Sequence, residues 1–180
     1  MGSSGVTITV AAAGRTSADE SACGRQSVVL SAHTTWRIDM TARISPYLGF
    51  RDQARAAMTF YGEVFGAEPT FSTFDEFGMA QDPADAGKVM HSQLELPGGG
   101  VLMASDAPAA MPVPGESSVS VALFGDAADA ETLRAVFARL SEGGTPGVPL
   151  EVAPWGDEFG MCTDRFGVGW MVNVAGPAQG

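Results

Sequence analysis

The spacing of apolar residues divides the chain near residue 40. Before it, Ser, Thr, Ala and Gly dominate and no period of 2 or 3.6 is sustained, so residues 1–39 read as a disordered tail. After Met40, "RISPYLGF" predicts a strand. Ala54, Ala57, Met58, Tyr61, Val64 and Phe65 then recur at helical spacing, which predicts a helix capped by Asp52 and ended by Gly66. "EPTFSTFDEF" predicts a second strand, and a polar loop with Asp82, Pro83 and Asp85 follows. "KVMHSQLEL" and "GVLMASD" predict a strand pair about the turn "PGGG".

A Pro-rich connector, "APAAMPVPGE", precedes a return of the same order. "SSVSVALF" is a strand with Val119, Val121 and Leu123 on one face. Asp129 is placed to cap a helix lined by Leu133, Val136, Phe137 and Leu140 and stopped by Gly143 and Gly144. "VPLEVA", "EFGMCTD" and "VGWMVNV" predict three more strands. The pattern is βαβββ, linker, βαβββ, an internal repeat of two α+β modules at 43–107 and 117–175 with a linker at 108–116.

Charge narrows the partners. The formal net charge is −11 and all of it falls after residue 39, because the tail carries three Arg and three acids. An acidic surface with no basic stripe repels phosphate backbones and anionic lipid, which argues against nucleic acid and membrane partners. Two cysteines, Cys23 and Cys162, make no disulfide framework, and no apolar run approaches a membrane span. The run "GVTITVAAAG" lacks the basic segment that precedes a secretion signal, so a reducing, cytoplasmic setting is expected.

Few residues carry obvious chemistry. His91, Gln93 and Glu95 alternate and share a face; they read either as a proton-transfer or metal-binding cluster or as a polar face with a satisfied histidine. Parity does not place that face, because the "PGGG" turn can hide a bulge. Trp155, Asp157 and Glu158 sit in a loop where an indole could offer a stacking surface or simply anchor the chain. Cys162 reads as an inert buried thiol. "GGG" at 98–100 is a turn and not a phosphate loop, since no helix opening with Lys and Ser/Thr follows.

Three stretches, "ISPYLGFRDQARAAMTFYGEVFGA", "VMHSQLELPGGGVLMASD" and "WGDEFGMCTDRFGVGWMVN", resemble the vicinal oxygen chelate superfamily, the glyoxalase and bleomycin-resistance group, and within it the PhnB-like branch. The resemblance implies that each module forms a curled half-sheet, that the halves enclose a cavity with helices outside, and that the protein is a homodimer. It also implies metal seats on the first and last strands of each module. These fall near Pro46, Met103, Ser120 and Met171, none of which supplies a strong donor for a hard or borderline divalent ion. No cofactor is therefore expected, and a divalent metal only if that alignment is displaced.

Met171 then reads as a wall of an apolar pocket or as ordinary core. Strand alternation extends the pocket to Leu48, Phe50, Met103, Ser105, Ser118, Ser120, Ala122 and Asn173, with Trp155 and Glu158 at its rim. It sends Val119, Val121, Leu123, Trp170 and Val172 toward the helices. Such a lining suits a protein that binds a small molecule. The alternatives are an enzyme of the same superfamily acting on a small oxygenated or electrophilic metabolite, with His91 or the loop acids doing acid–base work, and a metal-dependent lyase or isomerase of glyoxalase type.

Overall fold

The computed structural model describes residues 42–112 and 118–176; the predicted tail and part of the linker lie outside them. The chain forms β1 (Tyr47–Phe50), α1 (Ala54–Phe65), β2 (Thr70–Thr73), β3 (Val89–Glu95) and β4 (Val101–Asp106). It continues with β5 (Val121–Gly125), α2 (Ala130–Ser141), β6 (Thr145–Pro146), β7 (Glu151–Val152), β8 (Glu158–Thr163) and β9 (Gly169–Val174). These strands build two mixed sheets, in the orders β1-β4-β3-β2 and β5-β9-β8-β6, with β7 also on β8. The first and last strands of each half run parallel, Tyr47 beside Met103 and Ala122 beside Met171. The α+β class and the repeat are as the residue spacing predicts. Among the described residues, however, no strand of one sheet pairs with a strand of the other.

The first strand starts at Tyr47 and not at 43, because Pro46 has no N–H for the ladder; its carbonyl accepts from the Met103 N–H at 3.1 Å. The segment "VPLEVA" is broken. Pro149, with no N–H to donate, falls in the gap, and β6 and β7 form two short pieces against β8, with Gly147 and Val148 bonded to Met161 between them.

Asp52 does not cap α1. It adopts a left-handed φ of 62° and holds Lys88 at 2.9 Å. The cap comes from β4, where Asp106 Oδ1 accepts the Gln53 and Ala54 N–H groups, each at 2.9 Å, and its Oδ2 accepts the Val89 N–H at 3.1 Å. Gly66 ends the helix in the left-handed conformation as expected. Asp129 stands at the start of α2 but makes no side-chain cap.

The helix-covered faces of both sheets share one core. Ala54, Ala57, Met58, Tyr61 and Val64 of α1 are buried with Leu94, Leu102 and Ala104 of the first sheet. Trp170 of β9 meets the ring of Tyr61 at 5.4 Å and that of Phe65 at 5.8 Å, so α1 also covers the second sheet. Val136 and Leu140 of α2 complete this core. Such burial of large apolar side chains contributes roughly 1.5–3 kcal/mol each.

Candidate functional site

Each sheet turns one face to the helices and leaves the other open. On the first sheet, Tyr47 and Gln93 both stand opposite Met103, and Gly49 stands opposite Ser105. Alternation adds His91 and Glu95 to the same open face. The register thus places His91, which sequence parity could not. Tyr47 Oη lies 3.3 Å from His91 Nδ1, with ring centroids 5.9 Å apart. Gln93 Nε2 donates to Glu95 Oε1 at 3.3 Å. The tyrosine is 53% exposed and the imidazole half-buried.

Leu48 and Phe50 face the other way, correcting their expected place in the pocket. They stand beside Ala104 and Asp106, Phe50 is buried, and its ring meets Phe166 at 6.4 Å in the core. The register is displaced by one residue at Pro46, and one residue reverses every side chain of a strand.

On the second sheet the open face is apolar. Met161 pairs with Met171 and Phe159 with Asn173, and on the other side of β9 Ala122 and Phe124 take the same two partners. Phe124 is 83% exposed. Trp155 reaches this face by packing its ring edge-on to Phe159 at 5.6 Å. Asn173 donates to Asp157 Oδ2 at 3.0 Å, and Asp157 Oδ1 accepts the Gly176 N–H at 2.9 Å. The backbone bond from Gly176 and then the Asn173 amide hold the Asp157 carboxyl below its usual range.

Ser118 and Ser120 are exposed and precede β5. A side chain at Gly169 would come within 2.9 Å of Ser120 Oγ, so that glycine makes room for the hydroxyl. Val121, Leu123, Trp170 and Val172 lie on the helix side, as alternation predicts, but Val119, which precedes β5, is 70% exposed and does not join them.

Glu158 does not rim the open face. It lies on the helix side, where Arg134 of α2 grips it through two guanidinium nitrogens, with Nε to Oε2 at 2.8 Å. That hydrogen-bonded pairing lowers the Glu158 carboxyl and raises the Arg134 guanidinium. A sequence carries no local signal for a partner 24 residues away on another element.

The register also moves the first-strand metal seats. The residue beside Met103 is Tyr47, not Pro46, and the residue beside Met171 is Ala122, not Ser120. One phenol, two thioethers and a methyl group do not fit a hard or borderline divalent ion. Among the described residues no cluster of three or more His, Cys, Asp or Glu is placed to hold one. Cys162 is buried, and burial pushes its thiol up.

One buried group of consequence escaped the sequence reading. Asp164, just after β8, accepts from Tyr61 Oη at 2.6 Å, Trp170 Nε1 at 2.8 Å, and the N–H groups of Phe166 at 2.8 Å and Val168 at 3.0 Å. It fastens α1 of the first half to the last hairpin of the second. Burial, followed by the charge and hydrogen bond of Asp164, holds the Tyr61 phenol far above its ordinary range, so it stays a donor. The only signal was an Asp opening a turn before a Trp-bearing strand.

A half-open depression of about 450 Å³ lies at the end of α1, lined by Thr59, Glu63, Glu68 and Phe71 among others. It holds none of the expected site residues, and the chemistry-bearing side chains are on the open sheet faces instead. No helix among the described residues is long and apolar enough to cross a membrane.

Comparison with known proteins sharpens the assignment. Residues 42–173 match the family model described as 3-demethylubiquinone-9 3-methyltransferase. The crystal structure of PA1353 from Pseudomonas aeruginosa is 38% identical, covering 74% of this chain and 98% of that one, with a TM-score of 0.63. A putative 3-demethylubiquinone-9 3-methyltransferase, PhnB protein, from Bacillus cereus is 27% identical over 74% of this chain and all of its own, with a TM-score of 0.61. A glyoxylase/bleomycin resistance protein/dioxygenase domain from Frankia shares the fold alone, at 12% identity, 78% and 96% coverage and a TM-score of 0.56.

Proposed function

This chain belongs to the PhnB-like family described as 3-demethylubiquinone-9 3-methyltransferase, with the glyoxalase/bleomycin-resistance fold, and from that premise we propose that it binds a small, largely apolar molecule at its open sheet faces without a divalent metal. The observation that carries the proposal is the lining of the second sheet. Phe124, Phe159, Met161 and Met171, with Trp155 at the edge, present aromatic and thioether surface on the side away from the core. Apolar surface of this kind on a soluble protein marks a site that something covers, and methionines suit a surface that adapts to its ligand. The methyl transfer in the family's description is not carried over, because a fold hosts many chemistries and only the site argues for one.

One chain offers each face open, so the proposal includes a homodimer in which a second copy closes the site. Tyr47 on one open face and Phe124 on the other are more than half exposed, and covering such apolar surface favours association. A cytoplasmic setting fits the free, buried Cys162, and the acidic surface fits neither nucleic acid nor membrane.

The Tyr47–His91 contact favours a second reading, an enzyme of the same superfamily that moves a proton on a small oxygenated metabolite. A thermal-shift screen of small aromatic compounds tests the binding reading, since a ligand specific for the folded state raises the melting temperature. Product analysis of each hit separates binding from turnover. The binding reading fails if no compound shifts the melting temperature and Phe124→Ser leaves both association and ligand response unchanged.

A further inference from the structure

We propose that Tyr47 and His91 form an anion-recognition pair that takes the carboxylate or enolate oxygen of a ligand lying on the open face of the first sheet, beside Met103. The proposal rests on the binding reading above and adds the chemical class of the ligand. Its basis is the 3.3 Å contact between Tyr47 Oη and His91 Nδ1 on the open face of the first sheet.

The number of outward donors depends on the charge of the imidazole. In the neutral pair one proton is used between Oη and Nδ1. If the tyrosine donates, only Nε2–H points outward; if Nδ1 donates, only the tyrosine O–H does. Either tautomer leaves a single outward donor. When the imidazole is protonated, Nδ1–H donates to Oη, and both the tyrosine O–H and Nε2–H are free. The pair then offers two donors and a positive charge to an oxyanion, and charge-assisted hydrogen bonds are the strong ones.

Facing His91 are Tyr47 from β1, Ser72 directly across from β2, and Ser105 from β4 on the same face. The one other charged group on this face of β3 is Glu95, which is engaged by Gln93. On a chain of net charge −11, the protonated pair would offset part of the general repulsion of an organic anion.

The test uses the full chain and two probes of one shape, 2-naphthoate and its neutral amide. Affinities are measured at about pH 5.5 and about pH 8.5. The naphthoate should bind about tenfold tighter at the lower pH, the gain expected of one charge-assisted contact, while the amide is unchanged. His91→Gln should remove the pH dependence, and Tyr47→Phe should shrink it several-fold, both variants still binding the amide and melting as the parent does. If the amide binds but the naphthoate shows no pH response, or keeps it in His91→Gln, the anion pair is overturned and the binding reading stands. If neither probe binds at either pH, the anion pair is overturned, and the thermal-shift screen decides the binding reading separately.

Discussion

The two βαβββ halves share an order of elements and a strand pairing, yet they distribute burial and chemistry differently. In α1 six of twelve residues are buried, whereas in α2 only Val136 and Leu140 are. The first helix serves two sheets, through its own β3 and β4 and through the rings of Tyr61 and Phe65 on Trp170. The open faces differ as well. The first carries a phenol, an imidazole, an amide and a carboxylate around Met103, and the second carries aromatic rings and thioethers around the Asn173 amide. A repeat therefore preserves what the backbone needs, a parallel pair flanking an antiparallel one, and leaves the side chains of each half free to specialise.

The sharpest way to break this picture is to cut the fastening between the halves. Asp164→Ala strands the Tyr61 hydroxyl and the Trp170 N–H inside the core and should cost about 3–5 kcal/mol of unfolding free energy by urea titration. A loss below about 1 kcal/mol would mean that the halves do not depend on this carboxylate.

The helix caps give the next largest contrast. Asp106→Ala removes the acceptor of three N–H groups, two of them at the start of α1, and should cost about 2–3 kcal/mol. Asp129→Ala, at the start of α2, removes no cap bond and should stay within about 0.5 kcal/mol. Equal effects would erase the distinction drawn between the helices.

On the open faces, Phe124→Ser should leave the secondary structure intact and shift sedimentation toward the smaller species. An unchanged sedimentation profile would remove the second sheet's open face from any interface.

The smallest effect is electrostatic. Asp157 and Glu158 in the second half and Asp85 in the first have carboxyls held below their usual range, Asp85 mainly by its hydrogen bond with Lys88. A carboxyl lowered by folding contributes stability above its unfolded pKa of roughly 4, and that contribution is lost as pH falls through the lower folded value. The urea midpoint should therefore decline below about pH 4, and Asp157→Asn should make the decline shallower. A midpoint that rises in acid would contradict the assigned directions.

Much of the fold is legible in the chain because its signals are local. The period of 2 in "VGWMVNV" puts Trp170 and Val172 on the side opposite Met171, and the α1 spacing picks out the residues that are buried. Gly66 announces its left-handed cap without help from the rest of the molecule. The candidate site is less legible. Leu48 and Phe50 lie on the helix side, opposite to the expected face, because alternation says which residues lie together, not which side of the sheet they take. Glu158 found its partner on α2, and Asp106, not Asp52, caps α1 from across the sheet.

What the sequence by itself determined is the repeat, the helix faces and the strand periods. Each depends on residues a few positions apart, where backbone geometry dictates the spacing. Only the tertiary structure decided that β1 pairs through Tyr47, that His91 meets that tyrosine on the open face, and that Asp164 joins the halves. Those contacts link residues 44 and 103 positions apart. Pairing at such range is settled by how the sheets and helices pack together, which no local period encodes.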